Sequence, residues 1–155
     1  MMPKITESAF EEIVITALEK IAFLFMEPIP LDEAPTSLEL QTRIQFEGPF
    51  SKGSVQVLAD LSFAQEMAAG LLGVEPEEIG REDAEAALKE LSNIIAGELI
   101  LRLGAREDEF YLGLPELIPT GTTLHQKDQE GDSLWFHFES DEGRLSCLVS
   151  VQEED

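Results

Sequence analysis

The sequence predicts an α+β domain, an antiparallel sheet of about five or six strands packed against two or three helices. Three observations carry this. Apolar residues recur at helical spacing over 9–26 and over Arg81–Gly104. They alternate at strand spacing over Leu38–Glu47, Ser54–Leu61, Ser133–Glu139 and Arg144–Val151. Turn-forming stretches, Gly48–Gly53 and Asp141–Gly143, join neighbouring alternating segments as hairpins do. Hairpins pair strands antiparallel, which leaves one sheet face for helices.

The first helix is expected over 9–26. Phe10, Ile13, Val14, Ala17, Leu18, Ile21 and Leu24 form its stripe, Ser8 with Glu11 has capping-box spacing, and Pro28 and Pro30 stop it. Glu27–Ser37, with prolines and acids, reads as a connection. In Leu38–Glu47 one face carries Leu38, Leu40, Thr42, Ile44 and Phe46, the other Glu39, Gln41, Arg43, Gln45 and Glu47. That is a half-buried strand. Ser54–Leu61 pairs with it through Val55, Val57 and Ala59. Ser62, with Gln65, is expected to cap a short helix whose apolar face is Phe63, Met67 and Leu71 and whose end is Gly73. Val74–Gly80 is an acidic loop before the long helix Arg81–Gly104. Phe110–Leu114 reads as a strand stopped by Pro115, and Thr122–Gln126 as a weaker one. Ser133–Glu139 and Arg144–Val151 make a closing hairpin, and Gln152–Asp155 is an acidic tail expected to fray. At 155 residues, 1–155 reads as one domain with a real core.

Ten basic against 32 acidic side chains leave a net charge of −22. A field of that sign repels nucleic acid and anionic lipid, and disfavours capture of a free phosphate ester. It points instead to protein partners carrying a basic patch, although acidity also simply serves solubility. Cys147 is the sole cysteine, so no internal disulfide forms, which favours the cytoplasm. Ile21–Met26 is apolar, but Glu11, Glu12 and Glu19 precede it, unlike a signal peptide or a membrane span.

Several constellations are weak. His125 and His137 lie twelve residues apart on expected strands, without ligand spacing, and read as surface histidines; no metal site is expected. Cys147 falls on the apolar side of a strand and reads as a buried thiol rather than a nucleophile. No nucleophile elbow or glycine-rich phosphate loop occurs. Trp135 and His137 face either solvent or a covering layer, which the pattern leaves open.

The long helix is more informative. At about 100° per residue, Leu88, Leu91, Ile95 and Leu99 cluster on one side. Ala86, Glu90, Asn93 and Gly97 fall almost opposite, so a carboxylate and a carboxamide three residues apart face outward beside two small residues. Glu is at home on a solvated helix face. Asn is less so, because its side chain competes for backbone hydrogen bonds.

Phe46-Glu47-Gly48 precedes a turn to Gly53-Ser54-Val55, and Ala64 to Gly73 ends in Leu-Leu-Gly. The helix then carries Glu90-Leu91-Ser92-Asn93-Ile94-Ile95-Ala96-Gly97, and Leu112-Gly113-Leu114-Pro115 with Ile118 follows it. In these features, from Gln45 to Ile118, the chain resembles the CheX-like branch of the CheC/CheX/FliY phosphatases of chemotaxis, the Glu90–Gly97 helix resembling the family's signature helix and the segment after it the family's strand and proline. One position departs: the fuller motif has Asp or Ser where this chain has Ala86. A single E-x-x-N helix is visible, as in CheX.

The resemblance implies a CheC/CheX-like fold and a phosphatase acting on a phospho-aspartyl, CheY-like response regulator. Asn93 would orient the attacking water and Glu90 would anchor to a cation of the regulator, its active-site lysine. Ala86 and Gly97 would permit close approach. The receiver domain would bring its own Mg²⁺, so this chain needs no cofactor. A homodimer joined through sheet edges is also implied, with Arg144–Val151 as an unpaired terminal strand that supplies the contact. The competing reading is a non-catalytic adaptor on the same fold, binding a signalling or flagellar protein; Ala86 leans towards it, the Glu90/Asn93 pair towards the enzyme.

Overall fold

A computed structural model of the chain describes residues 6–29, 38–49, 51–103, 110–118, 132–141 and 143–153. Among them three helices lie against one face of a seven-stranded sheet. All pairings are antiparallel.

Helix α1 spans Glu7–Ala22. Thr6 caps it, its Oγ1 accepting the Ala9 N–H at 3.1 Å, so the helix begins before the expected Ser8 cap. It also ends well before Pro28. Phe23 enters the left-handed region at φ 57°, and its amide donates to the Glu19 carbonyl. That reversal sends Leu24 and Met26 into the core. The segment read as a connection holds strand β1, Glu27–Ile29, paired with Glu139 to His137. Three residues with a central proline are too short to show alternation, and Pro28 is tolerated because β1 is the edge of the described sheet.

Strand β2, Leu40–Glu47, alternates as expected, with Leu40, Thr42, Ile44 and Phe46 buried. Strand β3 runs Ser51–Ala59, starting within the expected turn. Gly53 is therefore inside the strand, opposite Phe46 and Val151. Helix α2, Leu61–Leu72, starts at Asp60 rather than at Ser62. The Asp60 carboxylate accepts the Arg144 N–H instead of capping, and Glu39 Oε1 of the β2 approach accepts the free Leu61 N–H at 3.1 Å. Gly73 closes α2 in the left-handed region. A 3₁₀ turn at Pro76–Glu78 leads to helix α3, Arg81–Arg102.

The strand expected at Phe110–Leu114 is two short pieces, β4 Tyr111–Leu112 and β5 Glu116–Leu117, both on β2. Leu112 faces Phe46 and Glu116 faces Arg43, so three residues of one strand oppose two of the other. That is a bulge around Pro115, not a stop. Strand β6, Asp132–Ser140, and strand β7, Gly143–Glu153, form the closing hairpin. Gln152 and Glu153 stay paired with β3, so the expected fraying does not begin there. Thr122–Gln126, His125 and Gly104 lie outside the described residues.

The sheet order is β1-β6-β7-β3-β2-β4, with β5 also on β2. Strand β7 sits between β6 and β3, so Arg144–Val151 is a central strand and offers no sheet edge to a second copy. The hairpin partner on one side was visible in the sequence; the partner from far upstream was not. The core lies between the sheet's inner face and the three helices, where Phe10 of α1 meets Phe136 of β6 at 4.4 Å between ring centroids.

Candidate functional site

Helix α3 is built from strong helix formers, with Glu82 and Asp83 in its first turn and Arg102 in its last, each sign matched to its end of the helix dipole. Its stripe of Ala84, Leu88, Leu91, Ile95 and Leu99 is fully buried against β2, β3 and the other helices. The opposite stripe is the open one. Ala86 and Glu90 are exposed, and Asn93 and Gly97 are half-buried. Neither the Glu90 nor the Asn93 side chain has a hydrogen-bond or ion-pair partner among the described residues. The four residues named from the sequence therefore share one outward ridge.

Between the two polar residues sits one that faces the sheet. Ser92 is completely buried. Its hydroxyl donates to the Leu88 carbonyl at 3.0 Å, which leaves the Thr42 hydroxyl of β2 to donate to the Ser92 oxygen. Thr42 is equally buried. This hydroxyl pair adds a polar contact on the face that the apolar stripe already turns to the sheet. With Ser92 pointing at the sheet, Asn93 and Glu90 are turned away from it, about 60° apart on the helix surface. The signal was present in the sequence, as a Ser on an apolar helix face and a Thr on an apolar strand face. Only their contact across fifty residues was hidden.

The ridge protrudes. A cleft of about 490 Å³ lined by Arg43, Lys52 and Tyr111 and another of about 300 Å³ beside Phe23 and Phe25 lie elsewhere, and neither includes Glu90 or Asn93. A Cβ added at Gly97 would meet nothing within 4 Å, so the chain itself leaves that space open. A convex carboxylate–carboxamide pair can enter a pocket on another protein but cannot enclose a small substrate.

The other candidates resolve plainly. His137 is buried rather than at the surface, its Nδ1 2.7 Å from the Ser146 hydroxyl. It stacks with half-buried Trp135 at 5.7 Å, on the sheet face away from the helices. Cys147 is fully buried opposite Val57 and Phe136, and burial pushes its thiol pKa upward, so it stays protonated and unreactive. Among the described residues no three His, Cys, Asp or Glu converge as a metal site, and no helix is long and apolar enough to cross a membrane.

A family model described as chemotaxis phosphatase CheX matches residues 40–139. The fold is shared with solved structures. The chemotaxis protein CheX from Vibrio vulnificus is 20% identical, with 94% of this chain and 95% of that one covered at a TM-score of 0.73. CheX in the CheX–CheY–BeF₃–Mg²⁺ complex from Borrelia burgdorferi is 18% identical, with 97% and 100% covered at 0.70. FliY from Thermotoga maritima is more distant, at 13% identity, 91% and 84% coverage and 0.56. No curated protein sequence matches the chain.

Proposed function

Because the chain belongs to the CheX family of chemotaxis phosphatases, we propose that it hydrolyses the aspartyl phosphate of a CheY-like receiver domain by inserting the α3 ridge into the receiver's active site. The observation that carries this reading is the outward, unpartnered Glu90/Asn93 pair on a helix held by Ser92 and Thr42. The Borrelia relative, which is seen with CheY, supports the class of partner.

The chemistry asks little of this chain. Water attacks phosphorus, the P–O bond to the aspartyl carboxylate breaks, and the water's protons leave with inorganic phosphate. The leaving carboxylate has a pKa of about 4 and departs without an acid to protonate it. What remains is placement of the water. The Asn93 carboxamide accepts from that water through Oδ1 while its Nδ2 donates to a phosphoryl oxygen. This is the positioning role that glutamine has in GTPases. A lysine there could not accept, and an aspartate would repel the phosphoryl group. Glu90 anchors the ridge by pairing with the receiver's lysine, and Ala86 and Gly97 keep the approach clear. Mg²⁺ comes with the receiver domain, and no step runs through a metal held by this chain.

The experiment mixes the protein with phosphorylated receiver domains and follows phosphate release. Asn93→Ala is expected to lose about 100-fold in turnover while still binding, and Glu90→Ala to lose mainly affinity. Failure of the wild type to accelerate any of several receivers overturns the reading. Exposed Ala86, at the position where the family motif carries Asp or Ser, favours the adaptor alternative. That alternative, an adaptor binding a signalling or flagellar protein, predicts no change in phosphate lifetime.

A further inference from the structure

The segment leaving α1 carries a second surface, built by other elements than the α3 ridge. Phe23 and Phe25 are 76% and 69% exposed, whereas Leu24 and Met26 are 6% and 5% exposed. The run thus turns alternate side chains inward and outward, and phenyl rings occupy the outward positions where polar residues belong. Phe23 is also the only non-glycine residue with positive φ among those described. Glycine would suit that left-handed position and the solvent better, as Gly73 does at the end of α2. Two liabilities coincide in one residue that the fold does not require, which points to a use outside this chain.

The rings border a cleft of about 300 Å³ whose other walls are Glu27, Glu139, Ser140 and Asp141. Every charged group lining it is a carboxylate. Lys20, in the last turn of α1, and Arg144, opposite Glu139 across the hairpin, form no ion pair with any of them. We propose that this cleft docks a basic amphipathic segment of another protein, its apolar side chains seated between Phe23 and Phe25 and its Lys or Arg side chains on Glu27, Glu139 and Asp141. The rim's charge disfavours the alternatives at this cleft. A second copy would bring like carboxylates together in a chain of net charge −22, and nucleic acid or anionic lipid is repelled by the same field.

The test selects peptides from a displayed random library on the full chain, with counter-selection on a Phe23→Gly/Phe25→Ser variant. Enriched peptides are expected to combine Lys or Arg with Leu, Ile or Phe at helical spacing. They should bind the wild type at least about tenfold more tightly than the variant. Glu27→Gln/Glu139→Gln should weaken them and flatten their salt dependence, while Asn93→Ala leaves them unchanged. The Phe23→Gly/Phe25→Ser variant should melt about 2–4 °C higher, because relief of the left-handed strain is a gain that a purely structural Phe23 would not give. Acidic peptides, equal binding to the variant, a lowered melting point, or a wild-type dimer that the variant dissolves would each overturn the proposal.

Discussion

Gly97 lies in the interior of α3 with nothing within 4 Å of where a Cβ would stand. Mid-helix glycine costs about 0.5–1 kcal/mol relative to alanine. Gly97→Ala is therefore expected to stabilise the isolated protein by that amount in urea titrations. If a receiver domain approaches this ridge, the same change weakens receiver binding, so stability and affinity move in opposite directions. Cys147 gives a pH signature of different origin. Burial raises its pKa in the folded state, while the unfolded thiol keeps its ordinary value near 9.0. The folded state thus holds the proton more tightly. Its contribution to stability is fully present below pH 9 and lost as pH rises above it, by about 1.4 kcal/mol per unit for this one group. Unfolding free energies measured from pH 8 to 10.5 should fall more steeply for the wild type than for Cys147→Ala, whatever the offset from the methyl-sized cavity. The native thiol should also resist a thiol-specific reagent until the protein unfolds.

At the level of elements, two contacts register the parts. The Thr42–Ser92 hydroxyl pair joins β2 to α3. Ser92→Ala leaves the buried Thr42 hydroxyl without its acceptor and is expected to cost about 1–3 kcal/mol. Thr42→Val in the same chain removes the orphaned hydroxyl and should recover much of that cost. Phosphate release should not recover in parallel, since the hydroxyl contact that ties α3 to β2 beside Asn93 is gone in both variants. A melting curve and a turnover assay on the single and double variants separate the two effects. Gly53 registers β3 on β7: a Cβ there would stand 1.9 Å from the Ser150 carbonyl and 2.9 Å from the Phe46 ring. The contact to backbone cannot be relieved by a rotamer change, so Gly53→Ala is expected to destabilise by about 1–3 kcal/mol in denaturant titrations. From the sequence Gly53 belonged to a turn, because a glycine beside Pro49 and Gly48 signals a turn more strongly than it signals two strands in close approach.

Charge dominates the behaviour of the whole molecule. A net −22 spread over one small protein is self-repelling, and salt screens it: the Debye length falls from about 30 Å at 0.01 M to about 8 Å at 0.15 M. The melting temperature is expected to rise between those two conditions, most steeply at the low-salt end, as differential scanning calorimetry would record. Affinity for a basic partner should fall over the same range. The layer arrangement was legible at this scale too. Strand β2 alternates without a break through Leu40, Thr42, Ile44 and Phe46, and a buried face of α3 spaced at 88, 91, 95 and 99 has no other period. Strand β1 and the split between β4 and β5 were not legible. Two or three residues are too few to carry a period, and proline reads as a stop when it marks an edge or a bulge.

The sequence by itself determined which residues could lie together on one helix face. Glu90 and Asn93 are neighbours on α3 in any fold that keeps the helix, since their spacing is a property of the backbone repeat. It determined the acidic field and the inward faces of the longer strands as well. Only the tertiary structure decided which strand lies beside which, placing β7 at the sheet's centre and not at an edge. Only it brought Thr42 of β2 against Ser92 of α3, a hydroxyl contact between residues fifty positions apart. Local periodicity records a chain's neighbours along the sequence. Contacts between distant segments depend on how all the apolar faces are buried at once, and no single segment carries that information.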